Sequence, residues 1–544
     1  MVHFADKHID VKEAKKHHGN NKEQLNMCSR KFVEFSRRTD LHGYKYIVME
    51  DLNVFERTCW AMAVLASICV AVYFVVTAYK WYARNPIVTV IESTQGAIWD
   101  VPFPAVTICD LNIVSRNAAL AFANEVTLPP DTTVDFVFKA VRLAPLLHTT
   151  YVVNSTQKQD LYKLQKVLDL NNISLEKLFR KLSPVSTCNQ LLERCMWKST
   201  VYRCDQLFHQ VFTLQNLCCT FNYYALETSD YKQVKTPRRV ASCGYQTALT
   251  VLVQTNPDDY YSAQVASQGA FVLIDDAYNV PDLDSTMRLV NPSSEVMIAL
   301  SPERTYSTPG LKYFTTEYRK CYYKDELKLG KFRQYSFHNC IMYQKMQIIQ
   351  NVCECVPFYF DLDQRDGFSR TCNFNDIDCL ENVLRFDDLQ TFEKYGGTVT
   401  CLPECEHFNY HFEVALGSLA KTIALNGHPF FKDVKLENRS LVNVFFNDLV
   451  STKYRRDVYL NWQNILASFG GLLSLMLGFT LISGFDLILF FIFRVTYDAI
   501  SRRIRRRDKD AMGITQYGGN KKSKQFQKNH WMEHSVKKSD LKRW

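Results

Sequence analysis

Ile465–Phe493 reads ILASFGGLLSLMLGFTLISGFDLILFFIF, 29 residues with one charge, Asp486. A single helix rising ~1.5 Å per residue would make it about 44 Å long, against a hydrocarbon core of roughly 30 Å. A plain anchor needs about 20 apolar residues. It has no use for Gly470, Gly471, Gly478 and Gly484, or for Ser468, Ser474, Thr480 and Ser483. Small residues let helices approach closely, and unwound backbone at membrane depth is tolerated where it packs in protein or lines water. The stretch is therefore either a Gly-rich helix–helix contact or a pore helix broken near Gly478. Ala467, Gly471, Ser474 and Gly478 are spaced 4, 3 and 4 apart and share one helical face, which favours the pore helix. Asp486 follows about two turns later. A charge in a span costs about 2.5–3.5 kcal/mol, so it should face a pore or a partner.

A second apolar run, Cys59–Ala78, holds 20 uncharged residues between Arg57 and Lys80, with Trp60, Tyr79, Trp81 and Tyr82 at its ends like interfacial anchors. The 544-residue chain carries +9 overall, unevenly. Residues 1–58 and 486–544 hold 26 Lys/Arg against 15 Asp/Glu, and the interval between holds 39 against 41. Nucleic acid is the default partner of a basic patch, but the positive-inside rule explains this pattern more simply. Both termini are expected in the cytoplasm, with no nucleic-acid partner. Lys453, Arg455 and Arg456 on the outer side argue the other way, and Arg494, Arg502, Arg503, Arg505, Arg506 and Arg507 outweigh them. Residues 1–50 are polar and contain no signal-peptide pattern.

Of 18 cysteines, 15 fall between Cys109 and Cys405. That concentration reads as an oxidised, extracellular framework. Cys353, Cys355, Cys372 and Cys379 could alternatively hold zinc, but an extracellular location favours disulfides. The sequons at Asn154, Asn172 and Asn438 lie in the same interval and are expected glycosylation sites. Residues 86–91 and 103–109 are β-branched runs bounded by turn residues and read as strands. Leu161–Leu182 has helical spacing, and Val240–Leu300 alternates like the strands of a central sheet. No HExxH, GxSxG or P-loop is present, so no enzyme, metal or cofactor is expected.

Several stretches resemble one family. FPAVTICDLN, Phe103–Asn112, is similar almost letter for letter to the FPAVTICNLN signature of degenerin/epithelial sodium channels. His42-Gly43 resembles the His-Gly motif before that family's first span. Gly478-Phe479-Thr480 resembles its Gly-x-Ser selectivity tripeptide, with Thr for Ser, and Asp486 stands where the family usually has Glu. Cys353-Glu-Cys-Val-Pro and Cys401-Leu-Pro-Glu-Cys405 resemble its CxCxP and CxPxC motifs. The doubled Cys218-Cys219 is similar to insect pickpocket-like subunits.

The resemblance implies a fold class: a membrane protein with two transmembrane helices flanking a disulfide-rich mixed α/β ectodomain of palm, thumb and finger type. The expected divisions are a cytoplasmic region 1–58, span 59–79, ectodomain 80–461, pore span 462–493 and a basic tail 494–544. It implies disulfides 109–218, 195–204, 321–405, 340–401, 353–379 and 355–372. Gln344 and Val399 stand where the family has one more bridge. Of the remaining Cys188, Cys219 and Cys243, the pair expected is 219–243. Gly478, Phe479 and Thr480 are the expected filter, Gly471, Ser474 and Asp486 the pore lining, and Ala467, His42 and Gly43 gating positions. Ser474 matches the position where amiloride binds.

The expected function is a subunit of a sodium-selective, amiloride-sensitive plasma-membrane channel. It would assemble as a homo- or heterotrimer, with sodium ions and membrane lipid as partners and gating through the ectodomain. The rivals are a trimeric nucleotide-gated channel, against which FPAVTICDLN and Gly478-Phe479-Thr480 argue, and a non-conducting receptor, adhesion or accessory subunit.

Overall fold

The computed structural model describes residues 29–507, except 85–86, 149–152, 214–216, 228–235, 264, 283–284, 361–369, 385–400, 421–427, 460–461, 499, 502 and 506. Val399, Arg502, Arg506 and the tail with Trp531 and Trp544 lie outside the described residues. The chain divides into two compact units, residues 1–84 with 460–544 and residues 85–459.

The first unit is helical. Val54–Arg84 forms one 31-residue helix, longer at both ends than its 20-residue apolar centre. Most of its apolar side chains are exposed, as expected where the surrounding solvent is lipid. The second apolar segment is two helices, Trp462–Leu477 and one beginning at Leu481, which meet at 73°. Leu489–Arg494 within the latter is a π-helical turn.

The second unit is built on the long strand Ser294–Ser307. One edge pairs antiparallel with His407–Ser418 along its whole length, from Ser294↔Ser418 to Thr305↔His407. The other edge is shared. Its first half runs parallel to Arg439–Phe446 and its second half parallel to Val450–Val458. Pro302 falls at the handover, between the Leu300 and Glu303 pairings, where its missing N–H leaves no ladder bond unmade on that side. Val450–Val458 in turn pairs with Ile87–Ala97, bringing Ile87 and Val458 together as Cα partners. The two points at which the chain enters and leaves this unit are thus neighbours in one ladder.

A second sheet orders Thr286–Val290, Ala270–Asp275, Ala105–Asp110, Leu217–Phe221 and Phe208–Phe212. Phe103 joins the two sheets. It is fully buried, with ring centroids 4.8 Å from Trp197, 5.4 Å from Phe446 and 6.0 Å from Phe221. Asn222 donates its side-chain amide to the Phe103 carbonyl and accepts from the Arg238 N–H at 2.8 Å. The FPAVTIC and CCTFN stretches are therefore held to each other.

The run Leu161–Leu182, read as one helix, is two: Ser155–Leu170 and Leu175–Leu182. Asn172 takes a left-handed φ of 52°, and Ser174 restarts the chain as an N-cap by accepting from the Lys177 N–H. Local polar capping overrides the continuous apolar spacing here. Both helices pack with Phe337–Cys353 and Phe374 in one core. On one face of Ser155–Leu170, Lys158 bonds Asp378 and Glu381 at 2.7 Å each, and Tyr162 donates to Asp378. One turn on, the Gln165 side-chain carbonyl accepts from the Phe374 N–H.

Candidate pore site and disulfide framework

The break in the second apolar segment is three residues long, and each has a structural task. Gly478 ends the upper helix in the left-handed conformation, φ +67°, with its N–H on the Ser474 carbonyl at 2.9 Å. That is the αL cap, which glycine alone makes without strain. Thr480 starts the lower helix: its hydroxyl accepts from the Ser483 N–H at 3.2 Å and lies 3.0 Å from the Ser483 hydroxyl. Phe479, between them, packs with Phe35, Leu41 and Phe490. A side chain at Gly484 would meet the Phe479 ring at 3.2 Å, which accounts for that glycine. Among the described residues, no hydrogen bond reaches the carbonyls of Gly478 and Phe479.

His42 and Gly43 complete this break. The His42 N–H donates to the Leu477 carbonyl at 3.0 Å, satisfying an acceptor that the end of the helix leaves open. The His42 ring lies 2.7 Å from where a Cβ on Gly478 would be. Gly43 has φ +82°, and a Cβ there would lie 2.5 Å from Val64 in the first span. The motif touches both apolar helices, one with each residue.

Gly470 and Gly471 behave differently: a Cβ at either would meet nothing within 4 Å. Ala467 and Asp486 are exposed, and Asp486 makes no ion pair among the described residues. Ser474 is half-buried. Near the far end of the upper helix, Tyr82 reaches the Ser468 hydroxyl at 3.4 Å and meets the Phe469 ring edge-on.

Sequence reasoning missed the helix over residues 29–38. It packs Phe35 on Phe490 and Phe491, while Lys31 pairs with Asp498 at 2.5 Å and Glu34 with Arg494 at 2.6 Å. The i, i+3 spacing of Lys31 and Glu34 was the available signal.

In the second unit the described residues form seven disulfides. Cys109–Cys218, Cys195–Cys204, Cys321–Cys405, Cys340–Cys401, Cys353–Cys379 and Cys355–Cys372 are bonded as the resemblance implied. The expected 219–243 pair is corrected. Cys219 bonds Cys188, and Cys243 is free and half-buried. Cys219 lies on Leu217–Phe221 and Cys188 opens the short helix before Leu192–Trp197, so the bridge ties the two sheets' layers. Cys355 and Cys372 approach Asp376 as a metal set would, but their sulfurs are spent on each other. Gln344 occupies the place of the missing bridge beside Cys401, 3.5 Å from its sulfur. Asn154, Asn172 and Asn438 are all exposed, and Asn154 uses its side-chain oxygen as an N-cap.

A long apolar helix, a broken apolar segment and a disulfide-dense ectodomain define a membrane protein of the ion-channel class. More particularly, the chain belongs to the amiloride-sensitive sodium channel family, whose profile it matches over residues 35–490. It is 26% identical to sodium channel protein Nach of Drosophila ananassae, covering 86% of this chain and 87% of that one. Pickpocket protein 28 of Drosophila melanogaster is 23% identical over 91% of this chain and 84% of its own length. The human bile acid-sensitive ion channel is 24% identical over 84% of each. These relatives are ion channels, and the chain is a channel-family subunit rather than an enzyme.

Proposed function

We propose that this chain is one of three subunits, identical or related, of an amiloride-sensitive, sodium-selective channel of the plasma membrane, gated through its ectodomain. Residues 59–79 and 462–493 are the membrane spans, 80–461 face outward, and the flanking regions 1–58 and 494–544 are cytoplasmic. The observation that carries this reading is the three-residue break: Gly478 and Phe479 turn helix-free carbonyls loose in an apolar segment. Such carbonyls are tolerated at membrane depth where they line water or bind ions. Three copies around an axis would give a ring of Gly478 carbonyls and Thr480 side chains to replace part of an ion's hydration shell. The open space beside Gly470 and Gly471 supports assembly, because small residues with no intrachain neighbour are suited to a close approach by another helix. Asp486 would then face the pore rather than lipid.

The test is current through cells expressing the chain, alone and with related subunits, with and without amiloride. Sodium current blocked by amiloride is the expected result. If surface-expressed chain carries no current alone and leaves the conductance of every tested partner unchanged, the chain is a non-conducting accessory subunit instead.

A further inference from the structure

Asp110 is the one residue by which FPAVTICDLN departs from the family stretch it resembles, and it is buried, 5% exposed. It ends the strand Ala105–Asp110, beside the Cys109–Cys218 bridge, and faces Tyr260 across the corner at Gly269. Its Oδ1 accepts from the Asn112 N–H at 2.9 Å and lies 3.3 Å from the Tyr260 hydroxyl. That hydroxyl also lies 3.0 Å from the Gly269 carbonyl and accepts from the Gly269 N–H at 2.8 Å. Gly269 is fixed in place, with φ +122° and a Cβ position only 2.1 Å from the Val290 carbonyl, and its carbonyl also accepts from Leu111 at 3.1 Å.

Counting protons exposes a conflict. The phenol has one hydrogen and two acceptors within reach, the Asp110 carboxylate and the Gly269 carbonyl. While Asp110 is ionised, only one of them can be served. A proton on Asp110 resolves this: the carboxyl donates to Tyr260 Oη, Tyr260 donates to Gly269, and Gly269 N–H donates back to Tyr260.

We propose that Asp110, Tyr260 and Gly269 form a proton-operated switch in the ectodomain, in which proton uptake by Asp110 closes this hydrogen-bonded corner and proton loss loosens it. Other charges agree. Desolvation, first, pushes the Asp110 carboxyl up to about 7, opposed by the Asn112 and Tyr260 hydrogen bonds and assisted by the Asp259 carboxylate. Asp259 is held at the start of the neighbouring helix by the Asn117 N–H. Among the described residues no Lys or Arg pairs with Asp110, and the adjoining strands contribute Phe271, Leu273 and Met287. Tyr260 is itself held well above its ordinary value by burial and by Asp110, so Asp110 is the group that titrates.

The experiment is infrared difference spectroscopy on the full-length protein in nanodiscs, following the protonated-carboxyl C=O band between mildly acidic and mildly alkaline pH. A band with a midpoint near neutral that disappears in Asp110→Asn, and persists in Asp276→Asn, is expected. In Tyr260→Phe the carboxylate loses a donor, so the band should remain and the proton bind roughly tenfold tighter. A near-neutral band unchanged in Asp110→Asn, or an unmoved midpoint in Tyr260→Phe, would overturn the switch. Should Asp110→Asn fail to fold, Tyr260→Phe alone decides.

Discussion

The backbone N–H of His42 caps the carbonyl of Leu477, and the His42 ring occupies the space that a side chain on Gly478 would need. The N-terminal motif thus supports the helix break from behind. Gly478→Ala adds a Cβ at 2.7 Å from that ring and forces a left-handed alanine, a cost of about 1–2 kcal/mol before any repacking. We expect altered sodium-to-potassium permeability or silence in protein that still reaches the surface, measured by reversal potentials alongside surface biotinylation. Wild-type permeation in surface-expressed Gly478→Ala would contradict the role given to the break.

Ala467 lies one turn before Gly471 on the proposed pore face. If three helices converge there, a larger residue strains the closed packing by roughly 1–3 kcal/mol. A differential of that size shifts a closed–open equilibrium by about 5- to 150-fold. Ala467→Phe should therefore give standing sodium current without a stimulus, whereas Leu489→Val should not. Silent Ala467→Phe channels at the surface, in a subunit mixture where wild type conducts, would count against the assignment.

The inner contact can be tested by exchanging charges. Lys31→Glu faces Asp498 with a like charge and should change channel open probability, and Lys31→Glu with Asp498→Lys should recover it. Single-channel recording reads both. No recovery in the paired exchange would mean that the Lys31–Asp498 pair does not act in gating.

Lys158 holds two carboxylates, one of them on Glu381, whose side chain is only 7% exposed. Lys158→Met leaves that buried charge without its partner, at a cost of about 3 kcal/mol. The hydrogen bonds from Lys158 and Tyr162 hold the Asp378 carboxyl below its ordinary value. A depressed carboxyl contributes stability above its unfolded value, about 3.9, that is lost as pH falls through the folded one. Lys158→Met should accordingly lower the melting temperature at pH 7 and narrow its gap to wild type in strong acid. A gap that does not depend on pH would refute the linkage.

Peptide mapping without reduction should recover Cys188 joined to Cys219, and an alkylating reagent should mark Cys243 alone among the ectodomain cysteines. Alkylated Cys188 would reverse that assignment.

What the sequence by itself determined was local or collective. Apolar runs marked Cys59–Ala78 and Ile465–Phe493, because leaving water depends on composition. The break near Gly478 was legible because a left-handed cap needs glycine and an N-cap needs Thr or Ser. The order of Cys353, Cys355, Cys401 and Cys405 pointed to the bridges through resemblance. The partner of Cys219 was decided only by tertiary structure, since a disulfide forms where Cα atoms come within about 4.4–6.8 Å, and sheet layering set Cys188 there. The split at Asn171–Ser174 followed from side-chain capping that apolar spacing does not encode. His42 against Leu477, Lys31 against Asp498 and Asp110 against Tyr260 join residues far apart in the chain, and each depends on folding to bring one donor within about 3 Å of one acceptor.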